Sequence, residues 1–305
     1  MSEIVASYAT GYLRTTITLD DDGTYLWTRR PGADRGRAIQ APDPLLRAAV
    51  ASVPPGRVAL ILPESVEDGV TYRVRRFRSL AGMFLGLTGE VPGLRELAGD
   101  TLAETARTLA GLHAVPVPDA ALPDVPTGVR RLLGWLRGGQ GPRGAAELHR
   151  RARAVLGRER LELVESWCAI GGERRVLLHG APGSGILLPV EDGVLLIGEE
   201  LAAGPPEFDL GWLVGEFVEF GHVGAPGPLG RDDYDALIHG LLDAYPAPLD
   251  RAAVGRVALL RFLTHTHDFS AYVGWHETLD GSLTVLAEVV DAAAGGRLLR
   301  ETSVR

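Results

Sequence analysis

One compact β section constrains this chain more than any other feature. The runs Arg175-Val-Leu-Leu-His179, Ile186-Leu-Leu-Pro-Val190 and Val194-Leu-Leu-Ile197 interrupt an otherwise helical second half. The last two are joined by a turn at Glu191-Asp192-Gly193. The remaining strand signals are confined to the beginning of the chain. Tyr12 to Leu19 carries β-branched residues, Asp20-Asp21-Asp22-Gly23 is a turn, and Thr24 to Thr28 resumes the strand, which predicts a hairpin. A Gly- and Arg-rich loop follows, then a short apolar helix near Pro44 to Ser52. Arg57 to Leu62 and Val70 to Phe77 predict two further strands across the acidic turn Glu67-Asp68-Gly69. Together these make a small, mostly antiparallel sheet with one helix.

From Leu80 onward the patterns are helical. Thr101 and Glu104 have the spacing of a capping box ahead of Leu102, Ala106, Leu109 and Leu112. Pro116 and Pro118 end that helix, and a Pro-rich loop runs to Pro126. Two more helices are predicted over about Val129 to Leu136 and Ala145 to Ile170. After Pro205-Pro206 the chain is helical through about Asp291, with breaks near Gly224 to Gly230 and Tyr245 to Leu249. A strand-rich lobe over 1–85 and a mainly helical lobe over 86–305, with a β hairpin at 175–198, make an α+β fold.

Composition narrows the function. With 305 residues the chain can bury a core without staples. Its formal net charge is -8 and no run of like charges suggests a nucleic-acid tail, so no nucleic-acid partner is expected. The nearest basic cluster, Arg150, Arg151 and Arg153, reads as the solvated face of an amphipathic helix. No apolar stretch is long enough to span a membrane and no signal pattern opens the chain, which makes the cytoplasm the expected location. The single cysteine, Cys168, excludes an internal disulfide and a Cys-rich metal site, and reads as a small buried residue. All 31 residues of the Lys+Arg count are Arg, so no Schiff-base, P-loop or kinase lysine is available.

The loop His179-Gly-Ala-Pro-Gly-Ser-Gly-Ile186 carries the glycine frame G-x-x-x-x-G of a phosphate-binding loop. That loop requires Lys and Ser/Thr next, opening a helix, whereas Ile186 and Leu187 stand there and open a strand. A second reading uses more of the chain. Val176-Leu-Leu-His-Gly180, Ile186-Leu-Leu188, Leu195-Leu-Ile197, Glu200-Leu-Ala202 and Pro206-Glu-Phe-Asp-Leu-Gly-Trp212 resemble the catalytic core of the aminoglycoside phosphotransferase and choline-kinase-like family. That family runs H-G-D-x-x-x-x-N, then I-D-W-E-L-A, then G-D-P-x-x-D-L-G-W. The helix Leu102 to His113 with Ala114-Val115-Pro116 resembles the family's helix ending in L-H-A-V-P, and Tyr25 to Pro31 resembles its nucleotide-lobe strand. The resemblance implies the two-lobed kinase-like fold.

Carried over residue by residue, the departures fall on the chemistry. The catalytic Asp is replaced by Ala181, the metal-binding Asn by Ile186 and the principal magnesium ligand by Gly198. The first-lobe lysine can only be Arg29 or Arg30, and its helix glutamate has no counterpart between Asp43 and Ser52. Phosphoryl transfer relies on positioning and charge neutralisation by those groups. The resemblance therefore implies a pseudokinase that needs no cofactor and holds no metal. A divergent ATP-dependent kinase would need Glu199 or Glu200 as replacement metal ligand. His179, Gly180, Glu200, Leu201, Asp209, Leu210 and Trp212 survive as scaffold, and in the family the equivalent His and Asp brace the active-site loop.

Other residues have a bland reading beside a sharp one. His265 and Asp268, three apart on a predicted helix, share a face and as a His–carboxylate pair could serve as a general base, as could His179. His267 and His276 complete a scattered set better read as surface histidines than as metal ligands. Arg73, Arg75 and Arg78 alternate along a predicted strand with Arg76 opposite; they fit an acidic peptide or, preferably, a solvated sheet face. The expected function is that of a pseudokinase whose inter-lobe cleft binds a peptide substrate or a partner biosynthetic protein. Degenerate relatives occur in lanthipeptide- and thioamitide-like peptide modification. That analogy admits a cyclase forming thioether rings on a dehydrated peptide as an alternative.

Overall fold

The computed structural model describes residues 3–299 apart from 88, 121, 170, 173, 225 and 226. Three strands open the chain: β1 (Glu3–Ala9), β2 (Leu13–Leu19) and β3 (Tyr25–Pro31). Helix α1 (Pro44–Ala51) follows, started by Asp43, whose carboxylate accepts from the amides of Leu45 and Leu46. Strands β4 (Val58–Ile61), β5 (Glu64–Val66) and β6 (Gly69–Val74) come next. The five-stranded sheet has the order β1-β2-β3-β6-β5 and is antiparallel throughout. The predicted hairpin is β2–β3. Strand β1 was not predicted.

The strand at Val58–Ile61 corrects the expected topology. It does not join the antiparallel sheet but pairs in parallel with the strand Gly193–Leu196 of the later hairpin, Val58 opposite Gly193 and Ile61 opposite Leu196. A pairing partner so distant in sequence leaves no local trace.

Helices α2 (Leu80–Phe84), α3 (Leu94–Ala114), α4 (Thr127–Gly138) and α5 (Ala145–Trp167) form the first part of the helical lobe. Helix α3 starts seven residues before Thr101, which corrects the capping-box reading. Thr101 is buried inside the helix and its hydroxyl donates to the Leu97 carbonyl. The local T-x-x-E signal lost to burial of Leu94 and Ala98, which extends the apolar stripe upstream. Helix α5 is kinked at Gly157, whose backbone is non-helical. The predicted end of that helix at Ile170 lies outside the described residues.

The β section consists of β7 (Val176–Leu178), a 3-10 turn at Ser184–Ile186, β8 (Leu187–Leu188), β9 (Gly193–Leu196) and β10 (Ala202–Gly204). Strands β4, β9 and β8 form one small sheet, and β7 pairs with β10 in another. Helices α6 (Glu207–Glu219), α7 (Arg231–Ala244), α8 (Arg251–Tyr272) and α9 (Thr278–Ala294) complete the chain. A break at 273–277 separates α8 from α9, where one continuous helix was predicted. The predicted break at Gly224 to Gly230 falls partly on residues 225 and 226, outside the described set.

The core centres on α6, which is buried continuously from Phe208 to Val218 and crosses α8 closely. A Cβ on Gly211 would meet the Val254 carbonyl at 2.6 Å, and one on Gly215 would meet the Ala258 carbonyl at 2.4 Å. Only glycine permits that approach, and it fixes the helix that anchors the candidate site. Cys168 is buried, and burial pushes its thiol up to about 12, which makes it an inert core residue.

The two lobes share a core. Ile17, Trp27 and Tyr72 stand in register across β2, β3 and β6, on one face of the sheet. They join Leu188 and Leu196 of the hairpin in a single buried cluster, and the Tyr72 hydroxyl donates to the Ile197 carbonyl at 2.8 Å.

Candidate active site

The loop after β7 is held from below by α6. Asp209, in the first turn of that helix and fully buried, accepts three hydrogen bonds. Its donors are the His179 amide (2.7 Å), the Gly180 amide (2.8 Å) and His113 Nε2 (3.0 Å). Glu216, two turns along, accepts from the Ser184 amide at 2.8 Å. Gly180 has φ +83°, and a Cβ there would lie 1.8 Å from the Glu200 carbonyl, so no other residue fits this turn. His113 closes the set by contacting Tyr245 at 2.9 Å through its other ring nitrogen.

His179 is fully enclosed and both of its ring nitrogens are used. Nε2 lies 3.1 Å from the Leu196 carbonyl and must donate to it, while Nδ1 accepts from the Ala181 amide at 3.4 Å. Burial holds the ring below the usual histidine range, so the neutral form is favoured. Such a ring braces a loop and has no free lone pair for proton abstraction.

Ala181, Ile186, Gly198 and Arg29 line one small cavity of about 120 Å³ between the lobes. Arg29 therefore faces the cavity, whereas Arg30 is exposed on the next register position of β3. Helix α1 supplies no carboxylate, its sequence being Pro-Leu-Leu-Arg-Ala-Ala-Val-Ala. Burial raises the carboxyl of Glu200, with Arg131 opposing, and this side chain accepts from the Gly128 amide at 3.2 Å. Glu199 is ion-paired to Arg35. Each Glu thus has one carboxylate oxygen engaged by the protein. Among the described residues, no group of three or more His, Cys, Asp or Glu side chains is arranged to hold a metal ion.

The cavity is small because the loop after β3 fills it. The Arg35 side chain is only 4% exposed, and its guanidinium lies 4.5 Å from the centre of the Tyr12 ring. Arg131, from α4, lies 4.3 Å from the same ring, donates to the Tyr12 hydroxyl at 3.0 Å and pairs with Asp268 on α8. Burial and the two guanidiniums act oppositely on the Tyr12 phenol, and burial prevails to raise it. The β1–β2 turn is tied to the end of α8, where the Gly11 amide donates to the Tyr272 carbonyl at 2.7 Å. Arg143 extends the clamp by bonding Asp34 (2.9 Å) and the Val273 carbonyl (3.0 Å). Sequence reasoning missed Tyr12, Arg35 and Arg131. The only available signal was the Gly- and Arg-rich loop itself.

The remaining candidates are placed apart from the cavity. His265 and Asp268 do not pair, although they share a helix face. His265 is drawn to Glu219 on α6 at 2.6 Å, and Asp268 to Arg131 and to His267 at 2.9 Å. Burial alone would raise Asp268, but Arg131 and His267 outweigh it and hold the carboxyl low. The opposite partners break the expected dyad. His276 is exposed and contacts Thr278, and Trp212 stacks on Phe208 at 5.3 Å with Gly128 against its edge. Arg150 and Arg151 bond Glu147, and Arg151 also bridges to Asp280 on α9.

No family model matches the sequence, and no curated protein matches it. In fold, the chain is similar to an amicoumacin kinase solved with AMP-PNP, Ca2+ and Ami (10% identity, 94% of this chain and 87% of that chain, TM-score 0.56). It is also similar to choline kinase from Cryptosporidium parvum Iowa II (12% identity, 98% and 91%, TM-score 0.53). A choline/ethanolamine kinase family protein from Mesorhizobium loti is a third neighbour (16% identity, 98% and 92%, TM-score 0.52). The fold is thus the two-lobed α+β kinase-like fold of aminoglycoside phosphotransferases and choline kinases.

Proposed function

We propose that this chain is a kinase-fold binding protein that has given up phosphoryl transfer and engages a peptide or partner protein. The observation that carries this reading is the filled cleft. Ala181, Ile186 and Gly198 border a space of about 120 Å³, whereas pockets for small ligands run from about 300 Å³ upward. Phosphoryl transfer depends on metal ions and charged side chains around the phosphates. Methyl, alkyl and hydrogen substituents stand at those three positions, and the neighbouring Glu199 and Glu200 are engaged by Arg35 and the Gly128 amide. Arg35 and Tyr12 narrow the cavity beside Ala181, and with Arg130, Arg131 and Tyr272 they also line an adjoining open recess of about 560 Å³, so the inter-lobe cleft stays a candidate for the peptide outside that cavity.

The cyclase alternative asks for a base beside the peptide. His179 has both nitrogens engaged, and His265 does not line the cavity. The binding role is therefore preferred, with ribosomally made peptides in a modification pathway as the suggested context.

The test is thermal unfolding with and without Mg-ATP. A ligand at 100 times its Kd adds about 2.7 kcal/mol to stability, which moves the midpoint by several degrees. No shift is expected, either for the wild type or for the triple variant Ala181→Asp, Ile186→Asn, Gly198→Asp, because the side chains that fill the cleft remain. A clear shift in the wild-type protein would overturn the proposal and restore the kinase reading.

A further inference from the structure

A groove of about 570 Å³ lies beside the connection from β6 to α2 and shares no lining residue with the closed cavity. Its apolar lining comes from Tyr25, Phe77, Met83, Val91, Leu97 and Val190, contributed by both lobes. The Tyr25 and Phe77 rings pack at 5.0 Å, which gives the groove a firm aromatic wall. Met83 adds an adaptable thioether of the kind that accepts varied apolar side chains. The volume is that of a site for one or two large side chains.

The rim is basic. Arg75, Arg76 and Arg78 stand along it within four consecutive residues. Arg78 lies over the Phe77 ring at 5.9 Å and has no carboxylate partner among the described residues. Arg75 makes a long, exposed pair with Asp192 at 3.8 Å, and Arg76 is shared between Glu191 at 3.4 Å and Asp192 at 3.5 Å, both at the surface. Such pairs contribute little and exchange readily for another carboxylate. Glu191 itself is held at φ 88°, an uncommon conformation for a residue other than glycine. That backbone keeps the hairpin turn at the groove's edge.

We propose that this groove is the peptide-docking site of the molecule, and that it takes a segment in which a bulky apolar side chain is flanked by Asp or Glu. The apolar residue enters between Phe77 and Val190, and the flanking carboxylates meet Arg76 and Arg78. This proposal rests on the reading of the chain as a peptide-binding protein and supplies the place and chemistry of that binding. It gives Arg75, Arg76 and Arg78 a role that a solvated sheet face does not. They lie beyond the end of β6, on the connection between the lobes.

The experiment is selection of a random dodecapeptide phage library on the immobilised full-length protein, followed by fluorescence anisotropy of the enriched peptides. Enrichment of apolar residues flanked by acidic ones is expected. Affinity should fall at least tenfold in the double variant Arg76→Glu, Arg78→Glu, and severalfold between 50 and 500 mM salt. Both side chains are on the surface, and circular dichroism would confirm that the variant is folded. Enriched peptides that lack the acidic pattern, or that bind the variant equally well, would overturn the groove while leaving a peptide-binding role elsewhere. Failure of any peptide to enrich would overturn both this site and peptide recognition, while the ATP result would stand independently.

Discussion

Replacing Asp209 with Ala tests whether the surviving motif residues are structural. The carboxylate is fully buried and accepts from the His179 amide, the Gly180 amide and His113 Nε2, at 2.7, 2.8 and 3.0 Å. Each buried donor left without an acceptor costs about 1–3 kcal/mol. Three such donors give about 3–9 kcal/mol, with the lower figure applying where a water enters the vacated space. Total stability for a globular protein is about 5–15 kcal/mol, so the variant should be strongly destabilised. Urea unfolding followed by tryptophan fluorescence measures this as a fall in the midpoint at unchanged slope. Asp209→Asn retains one acceptor oxygen and should lose about half as much. A loss below about 1 kcal/mol for Asp209→Ala would refute the bracing role and require these donors to be satisfied by another route.

Two further outcomes follow from the ion pairs. Arg131→Ala removes the partner of Asp268 and the donor to Tyr12; with both charged side chains about one-fifth to one-quarter exposed, the cost should be about 2 kcal/mol, below that of a fully buried pair. Hydrogen exchange at the Gly11 amide should accelerate in that variant, and unchanged protection would show that the turn is held without Tyr12. His265 is raised above its ordinary value of 6.5, first by the Glu219 carboxylate, with the Arg261 guanidinium opposing. A raised folded-state value means that its contribution is complete below about pH 6.5 and is lost as pH rises through the folded value. The stability difference between wild type and His265→Gln should therefore shrink from pH 6 to pH 9, and a difference independent of pH would contradict the pairing.

The parts legible in the sequence were those written locally. The hairpin over Leu13–Leu19 and Tyr25–Pro31, the β section near 176–196 and the helices after Leu80 all follow from periodicity and turn residues. The convergence of Ala181, Ile186 and Gly198 on one cavity is what the resemblance of their spacing to the kinase-like motif implies. Long-range choices were hidden. Asp268 chooses Arg131 on α4 over His265 one turn away, because a guanidinium beside a partly buried carboxylate outweighs an exposed imidazole. Arg35 sits in a stretch whose composition says only loop, and its burial depends on Tyr12 and Glu199, far away in the chain. Thr101 shows the converse, a local signal overruled by the apolar face of its helix.

The parallel pairing of β4 with β9 also bears on how the chain is made. Val58 must await Gly193 before that ladder can close. At ribosomal speeds of about 5–20 residues per second, the intervening chain takes on the order of ten seconds to emerge. During that interval the backbone of β4 is an unpaired edge, and the apolar face formed by Ile17, Trp27 and Tyr72 lacks Leu188 and Leu196. The nascent first lobe therefore presents an apolar face and an open strand edge until the hairpin arrives.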